Sequence, residues 1–308
     1  MVTGLYRRGL LAIADTPVVG DFVKRQRRDI GVGRFVAGEG LADAIEAAKG
    51  LEQQGMYGIL DLLGEFIDNP DAAEAITQEI LDSLATLAPQ PIDKYMSVKP
   101  TQMGLAIDAD MAFDNAVRIA EQAREAGAKV CLDMENSPYV EGTLQLFQRL
   151  HAAGYHHMST VLQSYLKRSF DDLEALLSLE PRPSVRIVKG AYLEPASVAF
   201  KDKKQVDANY REMVYRGLEA GATIGVATHD ESIIAETAAY LRGAALPKER
   251  CEFQLLYGVK PKLQRQLVEA GHLVRIYIPY GQDWYGYFSR RLAERPANFV
   301  FVLRGLMG

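Results

Sequence analysis

Apolar and polar positions along this chain follow two alternating periods. Eight short segments rich in β-branched and aromatic residues recur: MYGILDLLGE, KYMSVKPTQ, KVCLDMEN, MSTVLQSY, VRIVKGAY, IGVATHD, CEFQLLYG and LVRIYIPYG. Each reads as a strand buried on both faces. Between them run stretches such as DNAVRIAEQAREAG and GTLQLFQRLHAAG, whose apolar residues recur at helical spacing and which end in glycine, a common residue past a helix C-terminus. Strand alternating with helix from Met56 onward predicts a parallel sheet covered by helices. Eight such units predict closure into a (β/α)₈ barrel. The pattern divides the chain into an N-terminal helical arm over 1–40 and a barrel over 41–308.

Composition narrows the class. At 308 residues, 48% hydrophobic and 24% charged, the chain can bury a full core. The net charge of −5 does not point to nucleic acid. Cys131 and Cys251 lie far apart in apolar segments, which predicts buried free thiols and a cytoplasmic, reducing location. No apolar run is long enough for a membrane span, and the start of the chain lacks a convincing secretory cleavage site.

The arm differs in charge. Through Arg34 it holds seven basic residues against three aspartates, beside apolar Leu10, Leu11, Ile13, Val18, Val19 and Phe22. This composition suits contact with an anionic membrane surface, or a helical arm packed on the barrel with a solvated basic face. Gly31, Gly33, Gly38 and Gly40 lack dinucleotide-loop spacing and read as a hinge into a helix starting near Leu41.

In a (β/α)₈ barrel the chemistry sits where strands end. Polar residues mark nearly every exit: Glu65, Lys99, Asp133, Gln163, then Arg186 with Lys189, then Thr228, His229 and Asp230, then Gln254 with Tyr257, and Tyr277 on the last strand. Burying polar groups in apolar strands is costly unless they are paired or meet a ligand, so the set reads as a charged site or as structural ion pairs. Past the last strand, YGYFSRRLAE places Tyr287, Arg290, Arg291 and Glu294 at i, i+3, i+4 and i+7, on one helix flank. Two adjacent guanidiniums can grip a carboxylate bidentately; the alternative is a solvated charged face. Five histidines form no HExxH, so a metal site is not expected. Lys189 on an apolar strand is a candidate Schiff-base lysine, the basis of a barrel aldolase as an alternative.

VLQSY, VRIVKGAY, ATHD, EFQLLYG and YFSRRLAE, in that order, resemble proline dehydrogenase, with the likeness running from about Gly55 to Asn298. The absence of aldehyde-dehydrogenase and DNA-binding segments resembles the monofunctional bacterial type. The resemblance implies a distorted (β/α)₈ TIM-type barrel, noncovalent FAD, oxidation of L-proline to Δ1-pyrroline-5-carboxylate, and a membrane quinone as electron acceptor, reached by transient contact with the inner membrane. By the same resemblance Lys99, Arg290 and Arg291 clamp the proline carboxylate. Asp133 orients the cations and Arg186 sits near the flavin N5. Met134, Gln163, Lys189, Gly190, Ala191, Thr228, His229 and Gln254 contact FAD. Tyr192, Leu256, Tyr277 and Tyr287 wall the pyrrolidine ring, and Glu65 pairs with Arg290 as a gate. A hydroxyproline dehydrogenase would share these motifs, although Tyr277 presents bulk where the extra hydroxyl would go. The proline after Lys99 departs from the family pattern and bears on how far that lysine reaches.

Overall fold

The computed structural model describes residues 32–64 and 67–294, the last five of these by their backbone alone. The N-terminal arm through residue 31 and Glu65 lie outside the described residues, as do the side chains of Arg290, Arg291 and Glu294. Eight parallel strands close into a barrel in sequence order. They are β1 (Tyr57–Leu62), β2 (Tyr95–Val98), β3 (Lys129–Leu132), β4 (Met158–Gln163), β5 (Ser184–Val188), β6 (Thr223–Ala227), β7 (Cys251–Leu256) and β8 (Leu273–Tyr280). All eight apolar segments thus form strands. Closure comes from β8 running beside β1, with Tyr277 opposite Ile59 and Pro279 opposite Asp61.

Helix α1 (Leu41–Glu52) precedes the barrel. After successive strands come α2 (Pro70–Leu87), α3 (Ala109–Ala126), α4 (Ser137–Ala152), α5 (Ser169–Leu177), α6 (Lys203–Glu219), α7 (Glu231–Gly243), α8 (Pro261–Glu269) and α9 (Trp284–Glu294). Their ends follow local chemistry. Asn69, Asp108, Asp202 and Asp230 cap α2, α3, α6 and α7 by accepting backbone N–H groups that the first helical turn leaves without intrahelical partners.

The eighth unit departs from the regular pattern. Helix α1, buried through Ala44, Ile45, Ala48 and Leu51, packs against β1 and β8 and takes the flank where an eighth helix would lie. Close approach is possible because β1 carries Gly58 opposite Ala48, where a Cβ would come within 3.2 Å. Helix α9 instead joins a separate apolar cluster of Val32, Phe35, Val36, Leu63, Trp284, Tyr287 and Phe288. Leu63 follows β1 directly and its N–H bonds Tyr280 O at 2.8 Å, so α9 sits at the C-terminal mouth rather than on the barrel wall. This displacement is the distortion of the barrel. Residues 32–36, on the arm side of the boundary expected at residue 40, pack here against α9.

The N-terminal end of the barrel is closed by charge. Arg275 of β8 is 3% exposed; it donates through Nε to both oxygens of Glu252 at 2.9 Å and through Nη1 to Gly58 O and Asp93 Oδ1 at 2.6 and 2.5 Å. The rings of Tyr57 and Tyr95 lie 5.3 and 4.9 Å from its guanidinium carbon. At this end a cavity of about 490 Å³ is lined by Tyr57, Asp93, Tyr95, Glu252 and Arg275, with Lys129 and Gln254. Cys131 and Cys251 are buried and free. Among the described residues no helix is long and apolar enough to cross a membrane.

Candidate active site

The polar residues at the strand exits meet at the C-terminal mouth, and Asp133, the first residue past β3, is their hub. Its Oδ1 accepts from Ser97 Oγ of β2 at 2.6 Å and from Arg186 Nη1 of β5 at 2.8 Å. Its Oδ2 accepts from the Tyr277 hydroxyl of β8 at 2.7 Å. The Arg186 guanidinium also lies 5.4 Å from the centre of the Tyr277 ring, within cation–π range. One carboxylate therefore ties together side chains from three other strands, β2, β5 and β8.

Lys99 leaves β2 with an extended backbone (φ −100°, ψ 127°), because the following Pro100 excludes the helical region for the residue before it. Pro100 thus holds the backbone of this lysine in place. Its Nζ donates to Asp61 Oδ1 of β1 at 2.7 Å. Glu135, two residues beyond Asp133, accepts from the Thr101 backbone N–H at 3.0 Å and hydroxyl at 2.7 Å, and its carbonyl takes the Gln163 amide at 2.7 Å.

Burial and charge set the ionisation of this cluster. Burial works against the Arg186 cation, but the acidic groups around it, Cys131 and Asp133 foremost, hold its value above the ordinary one. Burial likewise opposes the Lys99 ammonium, and attraction from Asp61 and Asp133 outweighs it, so Lys99 stays charged. Asp61 is pushed up by burial, and further by Asp133, against the pull of Lys99. Burial also raises Glu135, with the Thr101 hydrogen bonds opposing it, and keeps the Tyr277 phenol protonated well above its ordinary value.

A second group spans the ends of β4 to β7. Lys189 donates to Asp207 and Asp230 at 2.6 and 2.8 Å, the geometry of an ion-paired ammonium rather than of a free nucleophilic amine, which speaks against an aldolase. Its hydrogen bond holds Asp230 well below the carboxylate range. Thr228 Oγ1 accepts the Asp230 N–H at 3.1 Å, and His229 Nε2 accepts the Leu256 N–H at 3.0 Å. Gly190 has φ +110°, and a Cβ there would fall 2.2 Å from the Tyr165 ring, so only glycine suits this turn. Ala191 and Tyr192 follow it, exposed on the rim, while Met134 is buried past β3.

The structure thus brings together Lys99, Asp133, Arg186 and Tyr277, and places Met134, Gln163, Lys189, Gly190, Ala191, Tyr192, Thr228, His229 and Leu256 around the same mouth. Gln254 is turned away: its amide donates to Glu252 at 2.8 Å and lines the cavity at the N-terminal end. Tyr287 is buried in the cluster on α9, whose backbone also carries Arg290 and Arg291. Sequence reading missed Asp61, Ser97 and Glu135. Asp61 had a signal, a lone carboxylate inside the apolar run YGILDL. Ser97 had none, since one serine in a strand is unremarkable.

Two guanidinium nitrogens of Arg186, Nε and Nη2, are buried without a hydrogen-bond partner among the described residues. Buried donors are rarely left so. Together with the glycine turn at residue 190 and the polar exits of β4 to β6, they fit a large ligand with hydrogen-bond acceptors, as a flavin would be. Among the described residues no group of His, Cys, Asp or Glu could hold a metal ion.

A family model described as proline dehydrogenase matches residues 44–304. The chain is 43% identical to the proline dehydrogenase of Deinococcus radiodurans, covering 100% of this chain and 99% of that one. It is 38% identical to proline dehydrogenase 2 of Bacillus subtilis over 90% of both chains. Among solved structures, proline utilization A from Bdellovibrio bacteriovorus, inactivated by N-propargylglycine, superposes with a TM-score of 0.80 at 25% identity, covering 89% of this chain and 33% of that much longer one.

Proposed function

The chain belongs to the proline dehydrogenase family, and on that premise we propose that it oxidises L-proline to Δ1-pyrroline-5-carboxylate with bound FAD and passes the electrons to a membrane quinone. The observation that carries the cofactor is the buried Arg186 guanidinium with its two unpartnered donors, because leaving buried donors unsatisfied costs about 1–3 kcal/mol each. Bound FAD would supply the two-electron acceptor for the hydride that leaves the ring carbon next to nitrogen. Met134, Gln163, Arg186, Lys189, Gly190, Ala191, Thr228 and His229 would hold it, with Gln254 reaching it only if its amide turns from Glu252.

The chain's own residues do the rest. Lys99, Arg290 and Arg291 would hold the proline carboxylate and so fix the ring's orientation. Tyr192, Leu256, Tyr277 and Tyr287 would wall the apolar ring. Cations around the substrate disfavour its ammonium form, which leaves the nitrogen lone pair free to form the C=N bond as the hydride departs and the amine proton passes to solvent. Asp133 would hold Arg186 and Tyr277 in register for this. Glu65 paired with Arg290 would shut the mouth and exclude water. Electron delivery to a quinone would bring the chain to the inner membrane surface from the cytoplasm, with the basic arm as its contact.

The test is the visible spectrum. The purified chain should be yellow, release about one FAD per chain on denaturation, as expected for one such site, and bleach on anaerobic addition of L-proline. A colourless, folded preparation that stays inactive with added FAD would overturn the proposal.

A further inference from the structure

We propose that Asp61 is the positioning residue of the substrate-carboxylate site: its carboxylate, held inside β1, aims and anchors the Lys99 ammonium at the mouth of the barrel. The inference deepens the proposed function and rests on Lys99 being a carboxylate ligand. Asp61 is 1% exposed, in a strand whose other five residues are apolar or glycine, and its neighbours across the barrel wall are Ser97 and Pro279. A carboxylate so placed is costly unless it is paired. Its partner is Lys99 Nζ at 2.7 Å.

The rest of Lys99 is equally constrained. Pro100 holds its backbone extended, so the side chain is fixed at its root by the proline and at its tip by Asp61. An ammonium has three donors, and one goes to Asp61. Among the described residues the others have no partner, which leaves them for an anion entering the mouth. A lysine tethered at both ends has less rotamer freedom to lose when substrate arrives, which favours affinity.

The groups facing this pair from the surrounding elements are Asp133 and Glu135 beyond β3 and Tyr277 of β8, with Arg186 of β5 bonded to Asp133. Replacing Asp61 removes the nearest negative charge while the burial of Lys99 remains. Burial lowers a lysine, so the variant's lysine loses its proton at lower pH than the native one. The charge on Lys99, hence the grip on the carboxylate, would then fail in the alkaline range.

Asp61→Asn should lower kcat/KM for L-proline by about 10- to 100-fold, mostly through KM, with FAD content unchanged. Its alkaline limb should shift to lower pH by a unit or more. Binding of cyclopentanecarboxylate, which keeps the carboxylate and ring but not the amine, should weaken by a similar factor in calorimetry. On a Lys99→Met background Asp61→Asn should add less than about threefold, since the two act through one contact. This double variant leaves no buried charge unpaired, and it serves as the test if the single variant does not fold. A wild-type pH profile and affinity in Asp61→Asn, or a further tenfold loss on the Lys99→Met background, would overturn the proposal. If Lys99→Met itself binds cyclopentanecarboxylate as the native chain does, it is the assignment of Lys99 to the carboxylate that has failed.

Discussion

Asp133 shows how much a single side chain can be asked to do. A carboxylate has two oxygens and about four acceptor sites, and hydrogen bonds from Ser97, Arg186 and Tyr277 occupy three of them. Removing its charge strands the Arg186 cation, which is 7% exposed, and an uncompensated buried charge costs about 3–5 kcal/mol. Asp133→Asn should therefore lower the midpoint of thermal unfolding and reduce kcat/KM for proline by about 10² or more. Native thermal stability in this variant would mean that water, rather than Asp133, balances Arg186.

Elements, not residues, decide which end of the barrel does chemistry. The strands present polar side chains at both ends. At the C-terminal end they leave donors over for a ligand; at the N-terminal end Arg275 of β8 is bracketed by Glu252 of β7, Asp93 before β2 and the carbonyl of Gly58 in β1. That closed set is a brace across the seam where the last strand meets the first. Arg275→Met should cost about 3–5 kcal/mol by leaving the Glu252 carboxylate without its cation, while Asp93 keeps Lys129 at 4.0 Å, yet change KM for proline little, because the brace lies at the opposite end from the mouth. Denaturant unfolding measures the first and steady-state kinetics the second. A variant of native stability with a raised KM would reverse the assignment of the two ends.

Across the whole molecule the buried acids shift in one direction. Burial raises Tyr95, Tyr210 and Tyr277 above 10.0, raises Cys131 above 9.0 and pushes Cys251 up to about 12. In the folded chain each keeps its proton at a pH where the unfolded chain has released it, so the unfolded state binds fewer protons and stability falls as pH rises. The loss should begin near pH 9, where the unfolded thiols titrate, and deepen above 10 with the phenols. Lys99, raised above 10.5, adds in the same sense. Thermal midpoints recorded from pH 8 to 11 should be flat to about 9 and then decline; an unchanged midpoint at pH 11 would show that these groups ionise as freely inside the fold as outside it.

Local patterning alone determined the barrel. Apolar runs too short for helices, separated by amphipathic stretches with caps at their ends, can bury both faces of each strand only in a sheet covered by helices, and that count of eight is written in the chain. Lys99, Asp133, Arg186 and Tyr277 were legible for the same reason: a charge or phenol stands out at an apolar strand's exit. What the one-dimensional pattern could not carry was pairing between strands. Whether Asp61 meets Lys99, whether Gln254 points to the mouth or to Glu252, and whether α1 or α9 covers the β8–β1 seam all depend on barrel register and closure. Those choices are made by contacts between residues as far apart as Gly58 and Arg275, and only the folded chain brings such residues within reach of one another.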